Sequence, residues 1–104
     1  MSVIVGKWVL QEGMMKGLWF DFKDDGTYTS ELPRLIKITA SGTYTTTEDG
    51  LIDTDQTQHN MNMIGQFAGR YSVEGDTLKL IFGPVPGGPR PADLSQAGTY
   101  KREG

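Results

Sequence analysis

Apolar and polar residues alternate along most of this chain, in short runs that end at Gly, Pro or acidic residues. Residues two apart share one face of a β-strand, so this alternation predicts strands with one buried and one wetted face. The runs are Lys7–Glu12, Leu18–Lys23, Thr27–Leu32, Ile36–Thr47, Leu51–Gln58, Phe67–Val73, Thr77–Phe82 and Gly98–Glu103. No segment has the length or the run of good helix formers that a helix needs. Short strands met one after another predict an antiparallel meander, and closing it removes the edges that a small sheet would expose. The expected fold is all-β: a small antiparallel up-and-down β-barrel of about eight strands, with residues 1–104 forming a single domain.

The connections sharpen this picture. Three are tight and acidic: Asp24-Asp25-Gly26, Glu48-Asp49-Gly50 and Glu74-Gly75-Asp76. Glycine accepts positive φ without steric cost, so Asp-Gly is a strong hairpin signal. The others are longer and carry Met or Pro: 13–17, the stretch around Pro33-Arg34-Leu35, 60–65 and 83–96. In an up-and-down barrel alternate connections lie at opposite ends. The tight turns are then all at one end, giving a cup with an acidic floor and a looped rim.

Gly-x-aromatic recurs at Gly6-Lys7-Trp8, Gly26-Thr27-Tyr28, Gly42-Thr43-Tyr44, Gly69-Arg70-Tyr71 and Gly98-Thr99-Tyr100. Each Gly shares a face with its aromatic residue, leaving room for the ring and allowing the wall to bend. With Trp8 facing inward, Leu10, Glu12, Leu18, Phe20, Phe22, Leu78, Leu80 and Phe82 join it on inner faces. Trp8, Tyr28 and Tyr100 are placed in the floor half, with Tyr44 and Tyr71 nearer the middle. Trp19, out of phase with Phe20, is expected on the outer wall, where it could contact a second subunit.

Gly6-Lys7-Trp8 resembles the Gly-x-Trp of lipocalins and the wider calycin group. In that group the Trp packs on a basic residue of the last strand, a role that the resemblance gives to Arg102. The stretches 69–80 and 87–91, with Lys101-Arg102, resemble small bacterial lipocalin-like domains of unknown function. The chain departs from the typical lipocalin in being shorter and in lacking a C-terminal helix and the disulfide, so the implied pocket is small or partly filled.

Composition removes some functions. There are no cysteines, so disulfides and thiolate metal sites are excluded. The net charge of −3, from 13 acids and 10 bases, offers no basic footprint for nucleic acid. The start lacks the basic and long apolar regions of a signal peptide, and no segment approaches a membrane span, so a cytoplasmic protein without membrane contact is expected. No cofactor or metal is expected.

Three functions remain. The first is non-enzymatic binding of a small apolar or amphipathic molecule at the rim. Its expected lining is Met14, Met15, Phe20, Met61, Met63, Leu80 and Phe82, above a structural floor of Trp8, Tyr28, Tyr100 and Arg102. The rim bases Lys16, Arg34 and Arg90, opposite an acidic floor, favour an anionic head such as a carboxylate. The second is a small isomerase- or cyclase-type barrel enzyme. Asp53, Asp55, Thr57 and His59 alternate on one strand, so His59 with Asp55, another carboxylate or a Tyr could exchange protons. The same spacing lacks the glycine and glutamate of a calcium-binding loop. The third is a dimeric interaction module. The 83–91 loop does not read as a phosphate cradle, because its prolines remove N–H donors and no helix follows.

Overall fold

The computed structural model describes residues 3–33 and 36–103. Its strands are β1 (Gly6–Leu10), β2 (Trp19–Phe22), β3 (Thr27–Leu32), β4 (Ile38–Thr46), β5 (Leu51–His59), β6 (Gly65–Glu74), β7 (Thr77–Phe82) and β8 (Gly98–Glu103). They follow one another round a closed antiparallel barrel of eight strands. β8 returns to β1 through pairs running from Lys7↔Glu103 to Leu10↔Tyr100. The alternation thus folds as expected, into an all-β up-and-down barrel. One bound moves a side chain out: β1 stops at Leu10, and Glu12, assigned to the inner face from the sequence, is an exposed loop residue. Among the described residues no helix is long and apolar enough to cross a membrane.

The turns after β2, β4 and β6 close one end, which we call the floor. Gly26 at φ 87° and Gly50 at φ 91° take the left-handed conformation that these tight turns require. Asp25 accepts hydrogen bonds from the Thr27 hydroxyl (2.6 Å) and amide (3.0 Å). Those bonds favour the carboxylate and hold Asp25 below the usual range. The Thr47 hydroxyl does the same for Asp49.

Inside the floor the core is dense. Ile4, Trp8, Phe22, Tyr28, Ile52 and Leu78 are the largest fully buried side chains. The Trp8 indole N–H donates to Ile4 O (2.8 Å), fastening the segment before β1 across the barrel bottom. Arg102, paired with Trp8 across β1 and β8, lies 4.2 Å from the indole centroid and donates to Val5 O (2.8 Å). This cation–π contact joins the first strand to the last. Tyr44 and Tyr71 reach deeper than their expected mid-barrel positions. Their hydroxyls donate to Lys23 O (2.7 Å) and Thr47 O (2.9 Å), so each ring pins a floor turn.

All five aromatic residues of the Gly-x-aromatic repeat are buried, but their glycines have different tasks. At Gly42 a side chain would collide with the Asp55 carbonyl, so the backbones of β4 and β5 come together there as only glycine allows. A side chain at Gly6 would displace the Arg102 guanidinium, and one at Gly98 would strike Leu10. The repeat is a construction detail that serves several local needs.

Candidate functional site: the barrel mouth

Above the aromatic floor the interior opens. A cavity of about 240 Å³ at the rim end is lined on one side by Met15, Leu18, Phe20, Phe67 and Phe82. Tyr28, Ser30, Thr54 and Gln56 of β3 and β5 form a polar stripe, and Ile38, His59 and Met63 complete the lip. Phe20 marks the boundary between plug and cavity. Its ring stacks on Phe22 (5.5 Å between centroids) and meets Phe82 (5.9 Å), Tyr100 (6.0 Å) and Tyr28 (6.2 Å). Aromatic contacts on several sides make a rigid base.

The polar stripe is internally connected. The Tyr28 hydroxyl donates to Gln56 Oε1 (2.9 Å), and Gln56 Nε2 donates to Met63 O (2.6 Å). Both ends of the amide are therefore occupied, one by the plug and one by the rim loop. Burial pushes the Tyr28 hydroxyl up to about 12, a shift that a hydrogen bond with Thr54 partly offsets. Such a group stays protonated at neutral pH and makes a poor general base. Burial likewise raises Tyr100.

Two larger hollows, of about 410 and 560 Å³, are open grooves on the outer wall. They are bordered largely by Thr, Ser, Asp and Gln, the wetted faces of the strands. The mouth is smaller, but it is the hollow with an apolar lining.

The structure brings some expected residues to the mouth and moves others away. Met15, Phe20, Met63 and Phe82 line it. Leu80 is buried below it in the core, while Met14, 93% exposed, and Met61 point away from the cavity. Lys16 is exposed on the loop after β1 and does not border the cavity. Arg34 falls outside the described residues. Arg90 is not at the rim. The 83–97 segment folds back along the wall, and Arg90 donates to Gly69 O (2.6 Å) and Ile52 O (3.2 Å) while pairing with Asp53 (2.6 Å). Its charge is spent clamping that segment where β5 meets β6. Lys37, near the rim, lies 3.7 Å from Glu31. The basic mouth read from the sequence is thus reduced.

His59 and Asp55 do not share a face. Ser41 pairs with Gln58, but Gly42 pairs with Gln56, leaving Thr57 as an extra residue in β5. This bulge reverses the alternation. Asp53, Asp55 and Thr57 face out, whereas His59 turns to the mouth. Trp19 is on the outer wall as expected, half-buried, with Lys7 Nζ 4.3 Å from its ring centroid.

Ser30, Thr54 and Gln56 line the mouth without being expected there, although the alternation carries a signal for them. Ser30 is in phase with Tyr28, and Thr54 and Gln56 are in phase with buried Ile52. No known family model matches this chain, and no curated protein matches it in sequence. The geometry of the mouth therefore has to carry the functional reading.

Proposed function

We propose that this chain is a non-enzymatic, lipocalin-like binding barrel that holds one small, mainly apolar molecule in its mouth. The observation that carries this reading is the 240 Å³ cavity, with a rigid aromatic base, an apolar wall and a single polar stripe. Pockets for drug-sized ligands run to about 300–1,000 Å³, whereas an apolar cavity of about 150 Å³ accepts benzene. The fitting ligand is a single ring or a short chain carrying one hydrogen-bonding group. The apolar part rests on Phe20 and Phe82, and the polar group meets the Ser30 and Thr54 hydroxyls.

The catalytic alternative has less support. His59 has no carboxylate beside it in the mouth lining, and the Tyr28 hydroxyl there is held protonated. A specific observation favours pairing of two copies as the second reading. Met14, Met15, Ile36, Met61, Met63, Ile64 and Val85, all on rim connections, are exposed apolar residues. Exposed apolar patches mark contact surfaces as well as ligand entrances.

Native mass spectrometry with ring compounds and short-chain alcohols, carboxylates and amines tests the proposal. One small ligand should be retained per barrel, and Ser30→Phe, which fills the cavity, should abolish retention. Undiminished binding in that variant would overturn the mouth as the site. A dimer that retains nothing would favour the pairing reading.

A further inference from the structure

His59 stands on the lip, where it borders both the mouth cavity and an outer groove. Its Nδ1 accepts two backbone hydrogen bonds from the loop that follows, from Met61 N (2.9 Å) and Met63 N (3.2 Å). An imidazole nitrogen can accept only when it carries no proton, so this arrangement requires neutral His59 with its proton on Nε2. The loop it clasps forms one side of the mouth. Met63 lines the cavity, and its carbonyl receives the Gln56 amide that also holds Tyr28.

The clasped loop turns sharply. Asn62, between the two bonded amides, has φ 67°, the one non-glycine residue with positive φ among those described. Asparagine accepts this left-handed conformation at a turn, which lets the Met61 and Met63 amides converge on one imidazole nitrogen. The loop is otherwise tied at its start, where Asn60 N donates to Thr39 O (3.1 Å) and Asn60 Nδ2 to Lys37 O (2.6 Å). Beyond Asn60, among the described residues, the loop is held by the imidazole, by short-range loop bonds and by Gln56, until Gly65 enters β6.

We propose that His59 is a proton-operated latch on the mouth: neutral, it holds the 60–64 loop closed over the cavity, and protonated, it releases it. Protonation converts the acceptor to an N–H facing two N–H donors, so both bonds are lost together. A proton on Nδ1 and the two accepted N–H bonds exclude one another, so acid opposes closure. The other titratable groups around His59 are Tyr28 across the cavity, and Glu31 and Lys37 on the outer side, 3.7 Å from each other. His59 is the single histidine of the chain, so its ring resonances report on it alone.

This inference rests on the mouth being the binding site only for its consequence, ligand release in acid; the latch itself can be read without ligand. Amide exchange of ligand-free protein, followed by NMR from pH 8 to 5, compares protection factors so that the intrinsic pH dependence of exchange cancels. Protection at Met61 and Met63 should fall about tenfold or more, the scale of losing one to two hydrogen bonds. It should fall in step with the His59 ring resonances, while floor amides such as Tyr44 and Tyr71 hold. His59→Asn supplies an oxygen acceptor at the same position with no proton to gain, so its loop should stay protected throughout. Protection in the parent protein that survives protonation of His59 would overturn the latch, as would an equal fall in His59→Asn. A second arm follows binding of benzyl alcohol, a single ring with one hydroxyl that is uncharged over this range, by ligand-observed NMR. Its affinity should weaken in acid for the parent protein only; unchanged affinity while the amides lose protection would overturn the release step. Absence of binding at every pH would count against the mouth as an apolar site, leaving the amide result to decide the latch.

Discussion

The floor and the rim are built from the same strands on opposite terms. At the floor, turns of two to four residues bring neighbouring strands close, and Trp8, Phe22, Tyr28, Tyr44 and Tyr71 fill the space between them. At the rim the connections are longer, and the strands end around a cavity instead of a packed centre. Large apolar side chains are buried at one end and exposed at the other, where Met14 is 93% exposed and Met61 62%. Turn length decides the difference, because a short turn allows no lateral freedom and a long one can stand away from the core. Close packing is thereby concentrated at the floor.

The comparison is broken most directly at Trp8. Trp8→Ala should destabilise by about 3–5 kcal/mol, the cost of emptying a large aromatic site in a core. Met14→Ala at the rim should change stability by no more than about 0.5 kcal/mol. Denaturant midpoints measure both, and similar losses would show that the two ends are not energetically distinct. Arg102→Ala should fall between them, since it removes the cation–π contact and a hydrogen bond to Val5 O.

A pH series sharpens the contrast from the interior. The Tyr28 hydroxyl is raised from 10.0 to about 12, so the folded state favours its protonated form. That contribution is fully present below about pH 10, where folded and unfolded chains both hold the proton, and is lost as pH rises towards 12. Denaturation curves from pH 8 to 12 should therefore show alkaline weakening, and Tyr28→Phe should weaken less. Tyr100, raised by burial as well, remains in that variant and leaves part of the slope. An identical slope in both proteins would remove Tyr28 from the account.

Modest effects belong to the tyrosines that pin the turns. Tyr44→Phe and Tyr71→Phe each keep the ring and lose one hydrogen bond to a turn carbonyl, at Lys23 and Thr47. About 1 kcal/mol apiece is expected. Because the bonds serve different turns, the double variant should lose the sum of the two. A double variant no worse than either single one would mean that the floor acts as one unit.

The strands, their order and the two unlike ends follow from local residue pattern alone. Those features depend on period-two alternation and turn chemistry, which are written in neighbouring residues. Trp8, Phe20, Tyr28 and Phe82 were legible as interior because parity along one strand needs no knowledge of the next. The tertiary structure decided what depends on pairing across strands. Thr57 becomes an extra residue only because Gly42 lets β4 approach Asp55 closely, and that bulge takes His59 from the face of Asp55 to the mouth. Arg90 reads as a rim base until the 83–97 segment folds back and finds Asp53 and the carbonyls of Ile52 and Gly69 on the wall. Local spacing sets which way a side chain points until a bulge or a returning loop intervenes. Both of those are settled by contacts between residues far apart in the chain.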